Sequence, residues 1–208
     1  GACNQPTDCA SNLCHKSVCV QPGFLLGSAP TAKLTAVLTS QLNSPTALAF
    51  HPSEPDQLWV TSHGDGALTI AHGVTAGLAT NVMRYRDEQM HFLEAVVSIS
   101  FSDNDTFGTC GDTRNDYHGN APADDFMGPV QWPSKLSDFK TFGKDAASVH
   151  LDMMHDSPRC MGIAAAGGNR YFVYNGLAGA IDFYDFGKPH PHGGDDHSDG
   201  STRRYLGL

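Results

Sequence analysis

One stretch, residues 157–186, restricts the fold of this chain more than any other. It holds three short apolar runs, at 160–165, 171–174 and 180–184, separated by Gly167-Gly168-Asn169 and Asn175-Gly176. Each run has strand length. Each break has turn chemistry, because glycine enters the left-handed backbone region freely and asparagine tolerates it. The stretch therefore predicts three strands of an antiparallel meander.

Two weaker copies lie upstream. Strands are expected at 46–50, 58–62, 67–71 and 81–85, then at 96–101, 106–110, 128–132 and 148–153. The third copy is the opening stretch, closed by a strand at 203–206. Leu48, Ile99 and Ile163 occupy matching places, as do Trp59, Phe107 and Phe172, and the first set gives periods of 51 and 64 residues. Repeats of four short strands mark propeller blades, which expose two apolar faces and so must stack around an axis. The expected class is all-β: a β-propeller with about three four-stranded blades, near 43–93, 94–156 and 157–208, behind a small disulfide-rich module. Small residues such as Gly162 and Ala164 suit a crowded innermost strand. A β-sandwich is the competing all-β solution.

Two phrases, Asn43-Ser44-Pro45-Thr46-Ala47-Leu48-Ala49-Phe50-His51-Pro52 and Met161-Gly162-Ile163-Ala164, resemble NHL-type β-propellers. That class includes the lyase domain of peptidylglycine amidating enzymes. The resemblance covers roughly 33–208 and implies a ring of blades. The lyase motifs are not matched residue by residue, so no catalytic role is carried over. Three blades do not close a ring, since propellers have typically four to eight. Either the sequence is a piece of a longer protein, or partner chains or further blades complete the ring. A strand expected at 33–39 offers a third route, as the outer strand of a last blade.

Four of six cysteines, Cys3, Cys9, Cys14 and Cys19, crowd into residues 1–23, ahead of a linker at 24–32. So short a segment buries too little surface to hold itself together and needs staples. Of three possible pairings, Cys3–Cys14 with Cys9–Cys19 is favoured, because small modules usually interleave their bridges. A four-Cys zinc site is the rival, but it lacks paired C-x2-C knuckles. The segment resembles short EGF-like or stalk-like cysteine modules. Cys110 and Cys160 sit in neighbouring repeats, as a Cys110–Cys160 disulfide or as two buried thiols.

A net charge of −9 argues against nucleic acid or an anionic membrane surface as partner. No apolar run approaches the roughly 18 residues of a spanning helix. With the cysteine module and a glycosylation sequon at Asn104 in the turn 102–105, this predicts a secreted extracellular protein. Its start at Gly1 reads as a mature end after leader removal, the alternative being an artificial boundary.

Unusual residues gather in two aperiodic segments, 111–126 and 187–202, where loops on a rigid scaffold would carry binding residues. In the second, Asp195, Asp196 and Asp199 with neighbouring glycines suit calcium, which takes six to eight oxygens. His190, His192 and His197 suit zinc or copper instead. The plain alternative is a solvated polar loop. A separate set, His118, His150 and His155, could form a three-His site near the axis with an open position. His51 and His63 read as turn histidines, and the adjacent pairs Asp124-Asp125 and Asp195-Asp196 carry little acid–base signal. Trp59, Trp132, Tyr171 and Phe172 could line a sugar site, or fill blade cores. Three functions follow as expectations: a structural or interaction module stabilised by calcium, whose partners are chains or blades that complete the ring; a zinc or copper enzyme with a His site on the axis; and a calcium-dependent glycan-binding module.

Overall fold

The structure is a computed structural model. It describes residues 2–9, 14–15, 17–19, 38, 40–76, 79–114, 127–141, 146–155, 157, 159–188, 190–194 and 196–207. The linker at 24–32, the expected strand at 33–39 (Leu38 apart), His118, the Asp124-Asp125 pair and Asp195 lie outside them. The chain divides into two compact units, Gly1–Thr35 and Ala36–Leu208.

In the first unit, strands β1 (Cys14–His15) and β2 (Val18–Cys19) pair antiparallel. Cys3 is bonded to Cys14 and Cys9 to Cys19, with Cα–Cα separations of 5.9 and 5.3 Å. All four sulfurs are in bridges, so they are not the zinc ligands considered above. The Asp8 carboxylate accepts the N–H groups of Asn4 at 2.8 Å and Gln5 at 3.1 Å. These two bonds hold its carboxyl below the usual carboxylate range.

The second unit holds three four-stranded antiparallel sheets, each with its strands in chain order. The first comprises β3 (Pro45–Phe50), β4 (Leu58–Ser62), β5 (Ala67–His72) and β6 (Asn81–Arg86). The second comprises β7 (Val96–Phe101), β8 (Thr106–Gly111), β9 (Met127–Pro133) and β10 (Asp152–His155). The third comprises β11 (Cys160–Gly167), β12 (Arg170–Asn175), β13 (Ala180–Asp185) and β14 (Ser201–Tyr205). No helix among the described residues is long and apolar enough to cross a membrane. The expected strand at 148–153 is displaced to β10. Residues 146–150 close a turn instead, in which Val149 and His150 donate to the Ala146 carbonyl at 3.1 and 3.2 Å.

The sheets stack in chain order, and β3, β7 and β11 pack side by side, as the inner strands of propeller blades do. Trp59 of the first blade faces the second, its ring 5.1 Å from Phe107 and 5.2 Å from Phe101 in edge contacts. Leu68, Ile70, Val96 and Val130 close around them. Trp59 and Phe107 therefore meet across an interface instead of holding equivalent places. Successive strand residues face opposite ways, so a one-residue offset in matching repeats turns a side chain toward the other neighbour. Phe172 is the true counterpart of Trp59, because Tyr171 beside it faces back into the second interface. β12 shows the alternation plainly: Tyr171, Val173 and Asn175 are buried, while Arg170, Phe172 and Tyr174 are exposed.

The second interface is filled by Cys110, Cys160, Tyr171, Val173, Tyr184 and Phe186. A disulfide joins Cys110 of β8 to Cys160 of β11, with Cα atoms 5.7 Å apart. A Cβ at Gly108 would lie 2.7 Å from the Tyr171 ring and 2.9 Å from Ile163 Cδ1, so this approach requires glycine. Crowding does not explain Gly162, where a Cβ would meet nothing within 4 Å. Buried Asp182 is held by Arg204, with Nε to Oδ1 at 2.7 Å and a second guanidinium nitrogen to Oδ2 at 2.9 Å, and by the Asn175 amide at 2.9 Å. Such bidentate, charge-assisted bonds make a buried carboxylate tolerable and tie β14 to its blade.

The disulfide spans 50 positions of chain. The double variant Cys110→Ala/Cys160→Ala is expected to lose about 4 kcal/mol of unfolding free energy in urea titration, from the loop-closure term. Gly108→Val is expected to lose about 1–3 kcal/mol by overpacking the same interface.

Candidate functional site

β10 is the outermost strand of the second blade, and the loop 187–200 joins the two outer strands of the third. They meet at the rim. The Gly193 N–H donates to the His150 carbonyl at 2.8 Å. Gly193 has a φ of 70°, and a Cβ there would lie 3.1 Å from Ser148 Cα and 3.2 Å from the Ala147 carbonyl oxygen. Positive φ and close approach both demand glycine at this docking point.

The contact centres on Asp152, which is 1% exposed. Its Oδ1 accepts the Met153 N–H at 2.7 Å and lies 2.7 Å from His197 Nδ1. Its Oδ2 lies 3.5 Å from His190 Nδ1, and neither of those two buried atoms has a hydrogen-bond partner among the described residues. On its other side, His190 Nε2 is 2.9 Å from Asp199 Oδ1. Asp199 Oδ2 accepts the Lys188 N–H at 2.8 Å, the main reason its carboxyl sits below the usual range. Burial pushes the Asp152 carboxyl above that range, against the hydrogen bond from His197 and the attraction of both imidazoles. The potential ligand atoms of Asp152, His190 and His197 all lie within 4.8 Å of one another.

The expected calcium set is not gathered among the described residues. Asp196 spends its carboxylate on the Ser198 N–H at 3.0 Å and hydroxyl at 2.6 Å, while Asp199 serves Lys188 and His190. An axial three-His site is not assembled among the described residues either. His155 lies on the outermost strand of its blade, at the rim. His150 is 3% exposed, with its ring stacked on Phe92 at 4.6 Å and its Nδ1 2.5 Å from the Ala147 carbonyl oxygen. His192 is exposed. The structure instead brings His190 and His197, two of the three loop histidines, to Asp152, which belonged to neither expected set and lies in the stretch that His150 and His155 bracket. Asp152 had a signal in sequence, as the lone carboxylate of Val149-His150-Leu151-Asp152-Met153-Met154.

The other sequence candidates take structural places. Trp59, Trp132 and Tyr171 are fully buried and cannot form a sugar platform, whereas Phe172 is exposed. His51 accepts the Ser53 and Glu54 N–H groups on Nδ1, at 3.3 and 3.2 Å, as a turn histidine. Asn104 joins a polar network between the second and third blades. Its Nδ2 donates to Asn169 Oδ1 at 2.7 Å, and its Oδ1 accepts the Thr106 hydroxyl at 2.6 Å. Gln131 reaches the same Asn169 oxygen at 3.0 Å, and Asp103 accepts the Gly168 N–H at 2.7 Å. The network borders an open cavity of about 470 Å³ that His190 and His192 also line.

No protein-family model and no curated protein matches the chain in sequence. Among solved structures it is similar to the β-propeller domain of Myceliophteria thermophila Cps50 (Swd1), with TM-score 0.48 and 12% identity over 83% of this chain and 41% of that one. It is also similar to a chain of the mitotic checkpoint complex, with TM-score 0.44 and 9% identity over 76% of this chain and 38% of that one. A third is Kluyveromyces lactis Hsv2, with TM-score 0.41 and 11% identity over 79% of this chain and 47% of that one. The chain thus spans less than half the length of each.

The Gly168 N–H holds the Asp103 carboxyl below its usual range, with smaller help from Ser102 and Arg170. A depressed folded value means the carboxylate stabilises above its unfolded pKa and loses that effect as pH falls through the folded one. Asp103→Ala is therefore expected to melt lower than wild type at pH 6. The gap should shrink as pH falls below about 4, as followed by circular dichroism.

Proposed function

We propose that this chain is a protein-interaction module, a row of propeller blades that presents sheet faces to other protein surfaces. One observation carries this reading. The forward face of each of the first two blades is covered by the next blade, but no described residue covers that of the third. Phe172 and Tyr174 are 40% and 45% exposed there, and Phe183 and Ile181 pair beside them on β13. At the other end of the row, Leu48 and Phe50 of β3 are 63% and 56% exposed. Contiguous apolar patches of this kind mark interaction sites, unlike scattered apolar residues. The surface that suits the third blade is another apolar sheet face: further blades, in the same protein or in another chain.

Three disulfides support an oxidising, extracytoplasmic location. The phrases at 43–52 and 161–164 support an NHL-type assignment of the blades, and the paired bridges support an EGF-like or stalk-like first unit.

The isolated full chain is expected to self-associate through its open faces in sedimentation at micromolar concentration and to bind an apolar dye. Phe172→Glu combined with Phe183→Glu should lower both, with little change in melting temperature because no described blade packs on that face. A wild-type chain that stays monomeric and binds no dye would overturn the reading.

A further inference from the structure

We propose that Asp152, His190 and His197 bind a single divalent transition metal of the zinc class, and that this metal fastens the loop 187–200 of the third blade to the outermost strand of the second. The first support is the unmet acceptor. Asp152 is 1% exposed, and its Oδ2 has no hydrogen-bond partner among the described residues. A buried carboxylate oxygen left this way is costly unless a cation neutralises it.

The second support is the tautomer of His190. Its Nε2 faces the Asp199 carboxylate at 2.9 Å, so in the neutral ring the proton sits on Nε2. Nδ1 then carries a lone pair, and that lone pair faces Asp152 Oδ2 at 3.5 Å. Two acceptors facing each other need a proton or a metal ion between them. For a tetrahedral ion with ligands at about 2.0–2.1 Å, neighbouring donors lie about 3.3–3.4 Å apart, close to the observed 3.5 Å.

The third support is the outer layer. A carboxylate on the far nitrogen of a ligating imidazole fixes ring orientation and raises ligand basicity, as Asp199 does for His190. Asp199 is itself fixed by the Lys188 N–H. Two imidazoles and one carboxylate suit zinc and its neighbours, whereas calcium prefers an all-oxygen shell. Three protein ligands leave a position for water or another small donor. The rival arrangement has no metal: Asp152 bridges two protonated imidazoles.

The test uses the full chain without a histidine tag, titrated with zinc chloride in a calorimeter and assayed for retained metal after dialysis. One zinc per chain is expected. His190→Gln and His197→Gln should each weaken binding at least 100-fold, and Asp199→Asn about 10–100-fold. His192→Ala, an exposed loop histidine, should bind as wild type does. Asp152→Asn should abolish binding. Should that buried variant fail to fold, His197→Gln carries the test, since His197 is only half-buried. Zinc should also slow amide exchange at 187–200 and 146–155 together, and cobalt in its place should give the visible bands of a nitrogen- and oxygen-ligated ion. No zinc binding at micromolar concentration, or binding unchanged in both histidine variants, would overturn the proposal and leave the ion-pair arrangement. Protection by calcium but not by zinc would overturn it as well.

Discussion

A four-stranded blade has two faces, and it can bury both only by lying between neighbours. Much of the second unit follows from that constraint. Trp59 and Phe107 are fully buried because the first blade lends its forward face to the second. Tyr171 is buried because the third lends its rear face, while Phe172, one residue on, is exposed because nothing described covers it. The glycine at 108 and the bridge from Cys110 to Cys160 serve the same contact, one by removing bulk and the other by a covalent tie.

Polar groups are handled differently at different distances from the inner strands. Within the third blade, Asp182 is matched by Arg204 and Asn175, so its burial is compensated locally. Between the blades, Asn104, Gln131 and Asn169 share one set of hydrogen bonds. At the rim, the loop after β13 folds back onto the preceding blade, and its imidazoles bring polar groups to a carboxylate that its own blade leaves incompletely satisfied. Rim contacts of this kind lock neighbouring blades without occupying the apolar interfaces.

The strands were legible because their spacing is short and their breaks are chemical. Glycine and asparagine at 167–169 and 175–176 mark turns whatever surrounds them, and β11, β12 and β13 run where those turns require. The fourth strand of the second blade was less legible. Its residues 148–151 alternate polar and apolar as a strand does, but the turn at Ala146 and the docked loop claim the backbone groups of Val149 and His150, and pairing with β9 begins at Leu151. The repeat matching placed Trp59 and Phe107 together because both are large aromatics on second strands. Which sheet each one faces depends on parity along the strand, a one-residue matter that loops of unequal length obscure.

For the candidate site, local sequence marked the loop but not its partner. Glycines around closely spaced histidines and aspartates announce a polar loop in any context, so His190, His197 and Asp199 stood out. Their use was decided by chain reversal, which brings them to Asp152, 45 positions before His197. Turn chemistry and strand period act between near neighbours, and the sequence by itself therefore determined an all-β chain of repeated four-stranded units with a bridged amino-terminal segment. Which faces are covered, and which carboxylate meets which imidazole, depends on how whole blades stack, and only the tertiary structure decided that.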